Sequence, residues 1–98
     1  MRDQPPARAE GPTLGEHLRR YRRRERLKNP DLARRLALSD GQITRLLNDR
    51  LPRLSLDTAE RCAQLLGCSL DEIAAAHHRG RLTLMREEGA TPVRAAAR

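Results

Sequence analysis

Tryptophan and phenylalanine are absent, and tyrosine occurs once, at Tyr21. A core must therefore be assembled from Leu, Ile and Ala, which favours packed helices over a β-sandwich. Ligand pockets are usually lined by aromatic and apolar side chains, so a buried small-molecule site is not expected. No apolar run reaches membrane-spanning length. The opening stretch MRDQPPARAEGP lacks the apolar centre of a secretory signal. The two cysteines, Cys62 and Cys68, then read as reduced thiols of a cytoplasmic protein. They stand six residues apart with no Cys or His at ligand spacing, so core thiols are a better reading than a metal pair. Adjacent His77 and His78 point in different directions on a helix and suit a solvated helix end. There is no nucleophile–base pair at sensible spacing and no glycine-rich phosphate loop. An enzyme, a metal and a cofactor are all outside the expectation.

What is abundant is arginine. Lysine occurs once, at Lys28, among twenty basic residues, and the net charge is +7 with a pI of about 11.1. A pI above roughly 9 with clustered Arg is the electrostatic footprint of a nucleic-acid binder. Charge alone does not decide this, because such a surface also attracts membranes and acidic proteins. At 98 residues there is room for one small domain.

The informative stretch is Asn29 to Asn48, NPDLARRLALSDGQITRLLN. Leu32, Ala33 and Leu36 have a helical period, as do Ile43, Leu46 and Leu47. Asn29 followed by Pro30 predicts a helix start, with Asn29 as N-cap. Ser39 followed by Asp40 predicts another, with a carboxylate in the positive first turn. Between them Ala37-Leu38-Ser39 fits a tight turn. Two helices, about Pro30 to Ala37 and Asp40 to Asn48, joined by three residues form a helix-turn-helix arrangement. The second would present Asp40, Gly41, Gln42, Thr44, Arg45 and Asn48 outward. A recognition helix meets base edges with its N-terminal residues. Arg45 suits guanine O6 and N7, Gln42 suits adenine, and Asp40 can accept from cytosine N4. Gly41 brings no reading group and leaves room for close backbone approach.

The rest supports this pair. Residues 1–12 hold Pro5, Pro6 and Pro12 and are expected to be a disordered lead. Thr13 and Glu16 have capping-box spacing, and a first helix runs to about Arg26 with Leu14, Leu18 and Tyr21 inward. From its arginine run, Arg22 to Arg24 are the better candidates for phosphate. Pro52 interrupts the segment DRLPRL, where Arg50 and Arg53 are placed to grip phosphates. A fourth helix runs from Leu56 to Leu66, with Leu56, Ala59, Cys62, Ala63 and Leu66 inward, and stops at Gly67. Ser69 and Glu72 open a fifth, to about His78, with Leu70 and Ile73 inward. The alternation Arg81-Leu82-Thr83-Leu84-Met85 suits a short strand or dimer element, and the stretch beyond Glu88 is read as disordered. The expected organisation is a lead over 1–12, a domain over 13–78 and a tail over 79–98.

With these helices laid out, the chain resembles the Cro/XRE-type helix-turn-helix family of phage and bacterial repressors, over about Leu14 to Ala75. LGEHLRRYR, LKNPDLARRLALSDGQITRLLN and LSLDTAERCAQLLGCSLDEI carry the likeness. The resemblance implies an all-α, compact five-helix bundle of the lambda-repressor-like type. It implies a cytoplasmic transcription regulator, repressors included, that binds double-stranded DNA with its third helix, often as a homodimer. By position it implies base contacts at Asp40, Gly41 and Arg45. It implies backbone contacts at Asn29, Asn48, Arg50 and Arg53, and with Arg22, Ser39 and Thr44 these complete the expected phosphate set. Ala37 stands where the family usually has glycine, Lys28 where it usually has a Ser/Thr cap, and Asp49 where glycine is common. The alternative reading is a protein-interaction module, such as the antitoxin half of a toxin–antitoxin pair. Leu47, Leu51, Leu54, Leu82 and Leu84 would then supply the contact surface.

Overall fold

The computed structural model describes the backbone of residues 11–96 and the side chains of residues 11–86. Among these are five α-helices and no strand: α1 Leu14–Arg24, α2 Asn29–Leu36, α3 Asp40–Leu47, α4 Leu56–Leu66 and α5 Leu70–Ala96. The all-α bundle is the one that the sequence predicts. The proline-rich lead falls outside the described residues up to position 10, and so do residues 97–98.

Four helix starts follow local chemistry. Thr13 Oγ1 accepts from Glu16 N at 3.2 Å, and Glu16 Oε1 accepts from Thr13 N at 2.7 Å. Ser39 with Gln42 and Ser69 with Glu72 form the same reciprocal box, and Ser55 accepts from Thr58 N. Each satisfies N–H groups that have no partner inside the helix. The bonds from Ser69 hold the Glu72 carboxyl below its ordinary range. The start of α2 departs from expectation: Lys28, not Asn29, is the N-cap. A lysine side chain accepts nothing, so only the reciprocal half of the box forms, with Lys28 N donating to Asp31 Oδ2 at 3.1 Å. Asn29 and Pro30 become the first helical residues, where a missing N–H costs nothing.

The turn between α2 and α3 places Ala37 at φ 58 and ψ 45, in the left-handed region. An L-residue is disfavoured there by about 1–2 kcal/mol, and glycine gives part of that back as extra freedom of the unfolded chain. Ala37→Gly should raise stability by about 0.5–1 kcal/mol, read as a higher urea midpoint at unchanged slope.

Leu14, Leu18, Leu32, Leu36, Ile43, Leu46, Cys62 and Ile73 are the largest fully buried side chains. Two expected core residues are not buried: Leu56 is 63% exposed and Leu70 38%. Both are the first residue of their helix. Side chains lean toward the N-terminal end of a helix, so these two overhang the end of the bundle.

The larger correction concerns residues 79–96. Arg81 to Met85 are helical, and α5 continues through the stretch read as tail. Thr83 Oγ1 donates to Arg79 O at 3.0 Å, a bond one helical turn back. Five residues of alternation also fit the i, i+4 pairs of a helix, and tertiary contacts decide between them. Gly80, Arg81 and Leu84 all lie along the α3–α4 loop.

Two buried or half-buried groups make stability depend on pH. Burial first, then the Arg79 and Arg20 guanidiniums, hold the His17 imidazole below its ordinary value, against smaller opposing effects of Glu16 and Glu72. Protonating His17 therefore favours the unfolded chain, and stability falls as pH drops below the ordinary imidazole value of 6.5. Burial pushes the Cys62 thiol from 9.0 up to about 12. The unfolded chain releases that proton first, so stability also falls as pH rises above 9.0. Cys62→Ala should flatten the alkaline limb of a stability–pH profile. In the native protein at about pH 8, alkylation should label half-buried Cys68 and spare Cys62 until unfolding.

Candidate nucleic-acid interface

α3 buries one face and presents the other. Ile43, Leu46 and Leu47 are 0, 1 and 5% exposed. Asp40, Gly41, Gln42, Thr44, Arg45 and Asn48 all lie on the exposed side, as does the cap Ser39. The two faces follow directly from the spacing of apolar residues in DGQITRLL.

Three features hold the C-terminal end of α3 in place. Arg19 on α1 donates to Leu47 O, an end carbonyl that the helix itself leaves unsatisfied. Asp49, at φ 59, follows in the left-handed conformation. Its carboxylate accepts from the Thr13 hydroxyl at 2.6 Å and from Gly15 N at 2.9 Å, at the start of α1. A carboxylate is favoured at that positive helix end. Gly15 and Gly80 make room for it. A Cβ at Gly15 would stand 2.6 Å from Leu47 O and 2.9 Å from both Asp49 oxygens. One at Gly80 would stand 2.6 Å from Asp49 Oδ1. The local sequence pattern does not mark Arg19 or Gly15 as supports. Nothing local in the chain links Gly15 or Gly80 to Asp49.

Within α3, two side chains are engaged locally. Gln42 Oε1 accepts from Ser39 N at 3.0 Å, so while the cap is intact Gln42 offers partners its NH2 and the second lone pair of Oε1. The Ser-x-x-Gln spacing was the signal for this box. Thr44 Oγ1 donates to Asp40 O at 3.0 Å. Arg45 lies back along the helix, and a methyl at Gly41 would touch both of its terminal nitrogens at 3.8 Å. Glycine at 41 thus gives the guanidinium a flat bed beside the backbone.

The flanking residues are mostly accessible. Asn29 is exposed at the start of α2, and Arg50 and Arg53 are exposed after α3. Arg50 N donates to Arg45 O at 2.7 Å, which ties the loop to the end of α3. Arg22 is different: it is half-buried, with Nη1 3.5 Å from Leu27 O and Nε enclosed without a partner. Arg24 stacks 5.5 Å from the centre of the Tyr21 ring, and Arg35 donates to the Tyr21 hydroxyl at 2.7 Å. Much of the arginine run therefore braces the bundle. Of the leucines considered for a protein contact, Leu47 is buried and Leu51 and Leu54 pack against the core.

Residues 13–76 match a family model described as a helix-turn-helix domain. The chain belongs to this helix-turn-helix family. The family is one of DNA-binding domains, and the match takes in α1 to α4 and the first turns of α5. Neither a curated protein nor a solved structure matches the chain. In this helix-turn-helix domain the two helices of the motif are α2 and α3, and the turn between them is Ala37-Leu38-Ser39. No described helix is long and apolar enough to cross a membrane, and the described residues hold no cluster of three or more metal-ligating groups.

Proposed function

We propose that the protein is a sequence-specific transcription regulator of the Cro/XRE type that inserts α3 into the major groove of duplex DNA. The observation that carries this is the outward polar face of α3, which is clamped at its C-terminal end and flanked by exposed Arg50 and Arg53. Arg45 and Gln42 read bases, Asp40 accepts from a cytosine amine, and Gly41 lets the helix sit close to the groove floor. Asn29, Ser39, Asn48, Arg50 and Arg53 contact phosphates and set the register, and Thr44 joins them when its hydroxyl turns from Asp40 O to a phosphate oxygen. Arg22 is half-buried and braces the α1–α2 turn, and it serves the same end from there.

Selection from a random duplex pool, followed by fluorescence anisotropy over a range of salt, tests the reading. A winning sequence is expected, with affinity that falls steeply as salt rises. A palindromic winner would also show a two-fold dimer with half-sites about 34–36 Å apart. Equal affinity for every duplex would overturn sequence-specific binding, and no salt-dependent binding would overturn DNA recognition itself.

A further inference from the structure

The segment between α3 and α4 lacks internal support. From Leu51 to Leu54 no backbone–backbone hydrogen bond forms among the described residues. Leu51 and Leu54 pack their side chains against the core, and the backbone between them is held from α5. His77 Nε2 lies 2.8 Å from Leu51 O. A carbonyl only accepts, so Nε2 carries the proton and donates. Four residues on, Arg81 Nη1 donates to the next carbonyl, that of Pro52. His77 and Arg81 share one face of α5, and on that side Gly80 brings the helix against Asp49. One face of α5 thus packs on Asp49 and holds the Leu51 and Pro52 carbonyls; Arg50 lies between these points and Arg53 directly follows them.

We infer that α5 is the positioning element of the DNA-gripping loop, with His77 and Arg81 as positioning residues that present Arg50 and Arg53 to the phosphates. This rests on the DNA-binding reading above. A loop held in its bound shape before binding does not have to be ordered during binding, and the saved entropy appears as affinity. The brace also gives α5 a role in the interface although the motif itself lies in α2 and α3.

The test pairs a DNA-free measurement with a DNA-bound one. In the free protein, backbone order parameters of Leu51, Arg53 and Leu54 should fall from rigid values near 0.85 toward flexible ones in His77→Ala and in Arg81→Ala. Affinity for the duplex selected from the random pool should fall about threefold to tenfold, the worth of one hydrogen bond. For His77→Ala the salt slope should stay as it is, because no phosphate contact is removed. His77→Gln, which keeps an N–H donor, should restore both readouts. Unchanged order parameters in both alanine variants would overturn the inference. So would a loosened loop with wild-type affinity. If the wild-type protein bound no duplex, the DNA-binding reading would fall. The order parameters would still decide whether α5 holds the loop.

Discussion

Gly80→Ala should destabilise the protein by about 1–3 kcal/mol, the usual cost of overpacking, and the same change should be neutral or stabilising on an Asp49→Gly background. The added methyl would stand 2.6 Å from Asp49 Oδ1, 2.9 Å from Cγ and 3.1 Å from Cβ. That side chain cannot swing aside without releasing the Thr13 hydroxyl and Gly15 N. Asp49→Gly alone removes two hydrogen bonds to a carboxylate, each worth about 1.5–3 kcal/mol, and recovers part of that by relieving a left-handed residue. Once that side chain is gone, the three atoms nearest the added methyl go with it, and alanine is favoured over glycine in a helix by about 1 kcal/mol. The cost of Gly80→Ala therefore vanishes or reverses on the Asp49→Gly background. Urea unfolding of the four proteins in this cycle reads it, and additive effects would mean that close approach to Asp49 is not what requires glycine.

Arg45→Ala should cost about 1–3 kcal/mol against the selected duplex and nearly nothing against a duplex changed at the base pair that Arg45 reads. In the free protein the guanidinium rests beside Gly41, so little holds it back from swinging toward a base edge. The contrast is Arg53→Ala, which should weaken all duplexes alike and reduce the salt slope by about one. Arg45→Ala should leave that slope nearly intact, because a base contact displaces no counterion from phosphate. If Arg45→Ala weakens every duplex equally, the side chain grips phosphate and the reading residues lie elsewhere on α3.

The parts of this protein that could be read from its sequence are those written within a few residues. The four caps, the apolar stripes of α1 to α3 and the three-residue turn all depend on spacings of three or four positions. For that reason the outward face of α3 was legible. The supports were not. Asp49 meets Gly15 across 34 positions, and His77 meets Leu51 across 26. No local pattern signals such a pairing. Asp49 instead looked like a departure from a common glycine, when its side chain is what joins α1, α3 and α5. The end of α5 was misplaced for a related reason. The apolar stripe fades after His78, yet α5 runs on, and Gly80 is buried mid-helix beside Asp49. Leu56 and Leu70 fit an inward stripe by period alone, and only their place at the helix ends turns them to solvent.

If the proposed function holds, the exposed face of α3 and the loop after it form the DNA surface. Backbone NMR shifts recorded while the free protein is titrated with the selected duplex test this most directly. The largest changes should run from Ser39 to Arg53, with a smaller set at Asn29 and the start of α2. Changes centred on α4, or on the side of α1 that carries His17 and Arg20, with α3 unmoved, would contradict it.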